Sequence, residues 1–321
     1  MKTEAKSKKK ELISKVVKDI SLKPKMTVDE LVSQMYESGG FSAKHLAQGV
    51  NILVEMFKDK DCVKFFSTPA CVVATGMRGV IRDLIKNKLV DVVITTCGLL
   101  DHDLARSWKD YYHGEFEMDD AKLHKLGINR LGNVLVPNDS YGIILERKMQ
   151  PILKELYEEG KKTFSTKDII WEFGKRIDDE NSILYWAYKN QIPIYVPGIT
   201  DGSFGSQMWM FTQEHRDFKI DVFKDEQELC NFIFDAKKTG ALMIGGGISK
   251  HHVIWWNQYR GGLDYAVYIT TAVEHDGSLS GARIREAVSW GKVREDAKYI
   301  TIDGDATIIL PVMIASAISR L

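Results

Sequence analysis

Lys292 stands in the segment SWGKV, after an apolar stretch and beside Trp290 and Gly291. A lysine desolvated by such neighbours loses its proton readily and becomes a nucleophile able to form a Schiff base. The competing reading is a surface ion-pair partner, the ordinary fate of one residue among 44 Lys+Arg. His251 and His252 follow three glycines, Gly245, Gly246 and Gly247, at the start of an expected helix. Adjacent helical positions point to different faces, so the two imidazoles make a poor metal site, and no HExxH or HxH pattern accompanies them. Cys62, Cys71, Cys97 and Cys230 show no zinc spacing either, and no metal is expected. One histidine could move a proton near neutral pH, although a lone histidine often only hydrogen-bonds. The glycines lie between the apolar run ALMI and a helical pattern, where backbone N–H groups and the positive helix end can receive a pyrophosphate. The motif departs from GxGxxG, and a tight turn packing helix on strand explains it equally well. Asp201, Asp276 and Asp305 each follow an apparent strand, where a carboxylate can accept ribose hydroxyls or simply cap a turn.

Such residues need a scaffold whose strand ends converge. The stretches CVKFFS, ACVVATGMRGVIRDLIKNK and VDVVITT read as strand, amphipathic helix and continuously apolar strand, the pattern of a parallel sheet covered on both faces. The alternation continues through GNVLVP, a helix over about 140–161, helices around Trp171 and Trp186, the strand PIYVP and the loop TDGSFGSQ. It then runs through FKIDVF, a helix at 226–238, ALMIGGG, a helix at 250–259, YAVYITT, the stretch 282–290, YITID and a closing helix. Near the start, Thr27 and Ser42 are expected to cap two helices separated by Gly39-Gly40. The expected fold is α/β: a doubly wound, mainly parallel, Rossmann-like sheet with a helical N-terminal extension. Residues 1–60 would be the basic arm and helices, and residues 61–321 a single α/β domain.

Composition narrows the function classes. With 44 Lys+Arg against 44 Asp+Glu, the broad positive footprint needed for phosphate-backbone binding is missing, so nucleic acid is not expected as a partner. The longest apolar run, at 306–318, is too short to span a bilayer, and no membrane segment is expected. Four cysteines without a pairing pattern suggest the reducing cytoplasm.

Beyond these readings, the chain closely resembles deoxyhypusine synthases. The resemblance is carried by GGGISKHH, DYAVYITTAVEHDGSLSGARIREAVSWGK and DGDAT, preceded in the same order by VDVVITTCG, HGEF, GINRLGNVLVPN and TDGSFG, and it runs from about Lys64 to the end. It implies an NAD-dependent transfer of an aminobutyl group from spermidine, by way of an imine on an enzyme lysine, to a lysine of a translation factor 5A-type precursor. On that basis Lys292 is the imine-forming lysine and His251 the active-site histidine. Trp290, Glu286, Tyr268, Ser280, Gly277 and His102 fall on substrate-pocket positions. Thr96, Gly98, Asp201, Gly246, Gly247, Thr271, Ala272, Asp276, Asp305 and Ala306 fall on NAD positions. The family is tetrameric, so a homotetramer is implied, with the basic arm able to cover a site entrance.

The amine half departs from the family. His102 stands for a Glu, Ser206 and Leu279 each for an Asp, Trp255 for an Asn, and Ala70-Cys71 for a Ser-Asn pair. A buried polyamine needs its charges paired. Either spermidine is held differently, through Asp101, Asp103 and Glu286, or another amine is the donor, as in homospermidine-type or other polyamine synthesis. A non-catalytic NAD-binding paralogue is a third reading, against which Lys292 and His251 argue.

Overall fold

The computed structural model describes residues 12–321; the first eleven residues of the expected basic arm lie outside the described residues. Eleven strands are described: β1 (Cys62–Thr68), β2 (Val92–Thr95), β3 (Tyr112–His113), β4 (Ile128–Leu131), β5 (Val134–Pro137), β6 (Thr163–Phe164), β7 (Ile194–Tyr195), β8 (Lys219–Ile220), β9 (Lys238–Ile244), β10 (Leu263–Thr270) and β11 (Val293–Asp303). Six of them form one sheet in the order β11-β10-β9-β1-β2-β7, every pairing parallel. The chain lays down β1, β2 and β7 in one direction, then returns to the other side of β1 with β9, β10 and β11. The order therefore reverses between β1 and β9, and at such a reversal a crevice opens at the carboxyl ends of the strands.

Alternate residues of the strands feed two separate apolar layers. Phe66, Val93, Leu242, Val267 and Ile302 point into one core with Val50, Leu53, Leu310 and Met313. Phe65, Val92, Ala241, Ala266 and Tyr268 point into the other with Leu229, Ile233, Val253 and Ile254. Both faces of the sheet are thus buried, which is why β2 reads as an unbroken apolar run.

The N-terminal helices are part of this packing. Thr27 caps the helix Val28–Ser38 in a capping box with Glu30, as expected, and Gly39 ends it at φ 70°. The next helix, Phe41–Lys58, begins with Gly40 at the cap position, so Ser42 lies in its first turn and does not cap it. A Cβ on Gly49 would lie 2.6 Å from Ile302 and 2.8 Å from Met313, so glycine is what brings this helix close to β11 and the closing helix Ala306–Ile318. Asp29 then accepts from Ser316 Oγ and from Arg320, tying the first helix to the last.

Two stretches leave the central sheet. GNVLVP becomes β5, which pairs antiparallel with β4 and β3 in a small separate sheet. The reason is the two-residue Gly132-Asn133 turn, with Gly132 at φ 60°, which folds β4 straight back on β5. FKIDVF contributes only β8, paired with β6, and its Val222 already begins the helix Val222–Asp235, capped by Asp221.

A buried ion pair ties together three helices beside β2, Met77–Lys86, Cys97–Trp108 and Ile183–Asn190. Asp103, fully buried, accepts from Arg78 Nε at 2.7 Å, from Ser182 Oγ, and from the backbone N–H groups of Ile183 and Leu184. Removing the cation would strand a buried carboxylate. Arg78→Met is therefore expected to lower stability by about 3 kcal/mol, measured by chemical denaturation; a change below about 1 kcal/mol would show that the backbone donors suffice.

Candidate active site

The carboxyl ends of the central strands carry the expected cofactor residues. Thr96 and Gly98 follow β2, Asp201 follows β7, Gly246 and Gly247 follow β9, Thr271, Ala272 and Asp276 follow β10, and Asp305 and Ala306 follow β11. The turn after β1 is pressed from both sides. A Cβ on Gly98 would lie 2.8 Å from the Ala70 Cβ, and one on Gly245 would lie 3.4 Å from Pro69. Gly245 and Gly247 adopt positive φ, 61° and 70°, and open space lies above Gly247 at the start of the helix Gly247–Gln258. That open space at a helix start suits a pyrophosphate. Gly246 has a different duty: a Cβ there would lie 2.2 Å from Ser280 Oγ, so its glycine lets the 271–281 loop pack onto the turn. Asp305 caps the closing helix through Thr307 and borders a cavity of about 500 Å³ with Tyr112, His113 and Phe116 of the small sheet and its following turn. Asp276 is exposed, and its carboxyl is held below the usual range by hydrogen bonds from Ser278.

A second cavity, about 210 Å³, brings the expected chemistry together. Lys292, His251, Glu286 and Trp290 line it with Lys250, Arg283 and Leu279. Lys292 is 8% exposed, and its Nζ lies over two indoles, 5.3 Å from the Trp290 ring centroid and 5.5 Å from that of Trp255. His251 stacks on Trp255 with centroids 5.5 Å apart. Burial, and then the neighbouring Lys292, lower the His251 pKa below its ordinary value, which favours the neutral ring and its free nitrogen. Glu286 is the one carboxylate among the lining residues.

Tyr268, expected in the pocket, lies behind it. Its ring is fully buried, and its hydroxyl donates to the Ser280 carbonyl at 2.6 Å. Ser280 and Gly277 belong to the loop that roofs this region, Gly277 turning at φ 71°. Lys250 is the residue that sequence reasoning missed. It is 1% exposed, donates to the carbonyls of Leu279 and Ala282 at 2.9 and 2.7 Å, and sits 3.6 Å from the centroid of the Tyr268 ring. Desolvation pushes its pKa down to about 7. The only sequence signal was its place beside His251.

The remaining amine candidates lie elsewhere. His102 and Ser206 are not among the residues lining the Lys292 cavity. His102 contacts Tyr111 Oη at 3.0 Å and is pushed down to about 4 by burial, then by Arg106, so it carries no charge at pH 7. Ser206 is exposed and donates to the Gly202 carbonyl. Asp101 and Asp103 cannot serve a polyamine. Asp101 is 1% exposed and occupied by Tyr141 Oη and the N–H groups of Ser203 and Phe204, and Asp103 is occupied as described. No cluster of three His, Cys, Asp or Glu suited to a metal occurs among the described residues, and no helix among them is long and apolar enough to cross a membrane.

Comparison with known proteins identifies the family. The family model for deoxyhypusine synthase matches residues 30–317. A relative from Picrophilus torridus, named probable deoxyhypusine synthase, is 59% identical over 95% of this chain and 97% of its own. One of the same name from Thermoplasma acidophilum is 55% identical over 96% and 98%. A solved chain from Entamoeba histolytica, provisionally described as a deoxyhypusine synthase, shares the fold at a TM-score of 0.67 and 18% identity, covering 94% of this chain and 97% of that one. Matched along nearly its whole length, the chain belongs to the deoxyhypusine synthase family.

Proposed function

We propose that the protein transfers a 4-aminobutyl group from spermidine, through an imine on Lys292, to a lysine of a translation factor 5A-type precursor. The observation that carries this reading is the meeting of a buried lysine, a histidine and a carboxylate on one small cavity. At ~30 Å³ per water the cavity has room for about seven waters, which suits the five heavy atoms of an aminobutyl group and excludes a whole dinucleotide.

The crevice residues would hold NAD: the open glycine cradle at Gly247 its pyrophosphate, and Asp201, Asp276 and Asp305 its hydroxyls. Bound there, NAD would supply a hydride acceptor and donor for the amine. The chain's own residues do the rest. Glu286 accepts hydrogen bonds from an ammonium group, the free His251 ring nitrogen takes a proton, and Lys292, once neutral, attacks the oxidised carbon, its new C–N bond replacing the one to 1,3-diaminopropane, which takes up a proton and leaves. The Trp290 indole, 67% exposed, stands over the reacting nitrogen at the cavity mouth. The relatives' names do not favour another donor, and an inactive subunit would have no use for Lys292 and His251 on one cavity. A homotetramer and a cytoplasmic location complete the proposal, the four free cysteines fitting a reducing compartment.

Incubation with NAD and spermidine followed by borohydride is expected to leave a mass increase of one aminobutyl group on Lys292, read by peptide mass spectrometry. An unmodified protein that nonetheless binds NAD would overturn the assignment.

A further inference from the structure

We infer that Trp255 binds the positively charged nitrogen of the amine substrate, its indole face serving where the cavity lacks a second carboxylate. The inference rests on the proposed amine chemistry and adds a specificity-determining residue to it. Glu286 alone among the lining residues carries a negative charge, and Leu279 presents hydrocarbon to the same space. A polyamine brings more than one charge, and cations left unpaired in a desolvated site bind poorly. The geometry supplies another kind of partner. Lys292 Nζ lies over the rings of both Trp255 and Trp290, so any cationic nitrogen brought to the reacting lysine arrives between two indoles. Indole is the strongest cation–π acceptor among side chains, and its attraction grows as water is excluded.

Trp255 is also held for this duty. His251, Trp255 and Tyr259 recur every four residues along one face of the helix Gly247–Gln258 and its end. The His251 ring stacks on one side of the indole, and Tyr259 meets it edge-on at 6.2 Å. The ring is 38% exposed, open to a ligand rather than packed in a core, and it stands next to the cavity without being part of its lining.

The test is calorimetric titration of spermidine into wild type, Trp255→Phe and Trp255→Leu, each saturated with NADH so that the amine cannot be oxidised. Attraction to an aromatic face should weaken in steps: about two- to fivefold for phenylalanine and about ten- to thirtyfold for leucine. Should the leucine variant fail to fold, the phenylalanine variant still reads the step. Unchanged affinity in both variants, an equal loss in both, or no spermidine binding by the wild type would overturn the inference. The borohydride adduct reports separately: spermidine binding that depends on Trp255 without an adduct sinks the transfer reaction and leaves this site standing, whereas an adduct with unchanged affinities does the reverse.

Discussion

Lys292→Arg is expected to fold and to bind NAD as the wild type does, yet to give no borohydride-stable adduct and no aminobutyl transfer, a loss of at least about four powers of ten. The guanidinium stays protonated at any pH the protein tolerates, so it cannot attack carbon. The fold should survive because the backbone at this position is held independently of the side chain: the Lys292 N–H donates to Ala287, and its carbonyl accepts from Leu263 at the start of β10. The arginine also keeps the positive charge over the two indoles. Melting temperature and NAD affinity are the controls, and peptide mapping is the readout. An adduct surviving in the variant, with Lys250 on the same cavity as the nearest rival nucleophile, would refute the assignment.

Lys250→Met is expected to lower kcat/KM by about a hundredfold although Lys250 takes no part in bond making, because the carbonyls it ties belong to the loop that roofs the cavity. Its three N–H groups meet two carbonyls and an aromatic face, while burial pulls its pKa from 10.5 to about 7. Between those values the unfolded chain keeps a proton that the folded chain has released. Stability of the wild type therefore rises with pH through that window, by up to about 1.4 kcal/mol per pH unit. The variant lacks this contribution, so the stability difference, wild type minus variant, should grow from pH 7 to pH 10 in denaturation experiments. A flat or shrinking difference would mean that the ammonium form is the one the fold holds.

Much of the architecture was legible from period and punctuation. The unbroken apolar run VDVVITT announced a strand buried on both faces, and Thr27 with Glu30 announced a helix start. GNVLVP misled because a short half-buried strand looks the same in a hairpin as in a parallel sheet; the deciding signal was the Gly132-Asn133 pair between two apolar runs. The nearness of Lys292, His251 and Glu286 was legible only through resemblance, since residues 251 and 292 are joined by β10 and a loop rather than by any local pattern. Asp101 and Asp103 were offered to the amine because their charge was visible and their occupation was not. Each carboxylate is consumed by N–H groups about eighty or more residues away in the sequence. Lys250 was hidden for the opposite reason: nothing in a lysine's neighbours in sequence reveals that carbonyls from 29 and 32 residues further on converge on it.

The strand order has a consequence for how the chain is made. β1 needs two neighbours: β2 follows within about thirty residues, but β9 begins only at Lys238, and until it emerges from the ribosome the row of N–H and C=O groups on that edge of β1 has no partner. The first helix waits longer still, for Ser316 and Arg320, nearly three hundred residues further on. Contacts so distant in sequence slow folding and prolong the exposure of a pairing-competent edge. The nascent chain therefore carries its central strand half paired from the arrival of β2 until that of β9, and the arrival of Ser316 and Arg320 is what lets the first helix close on the last.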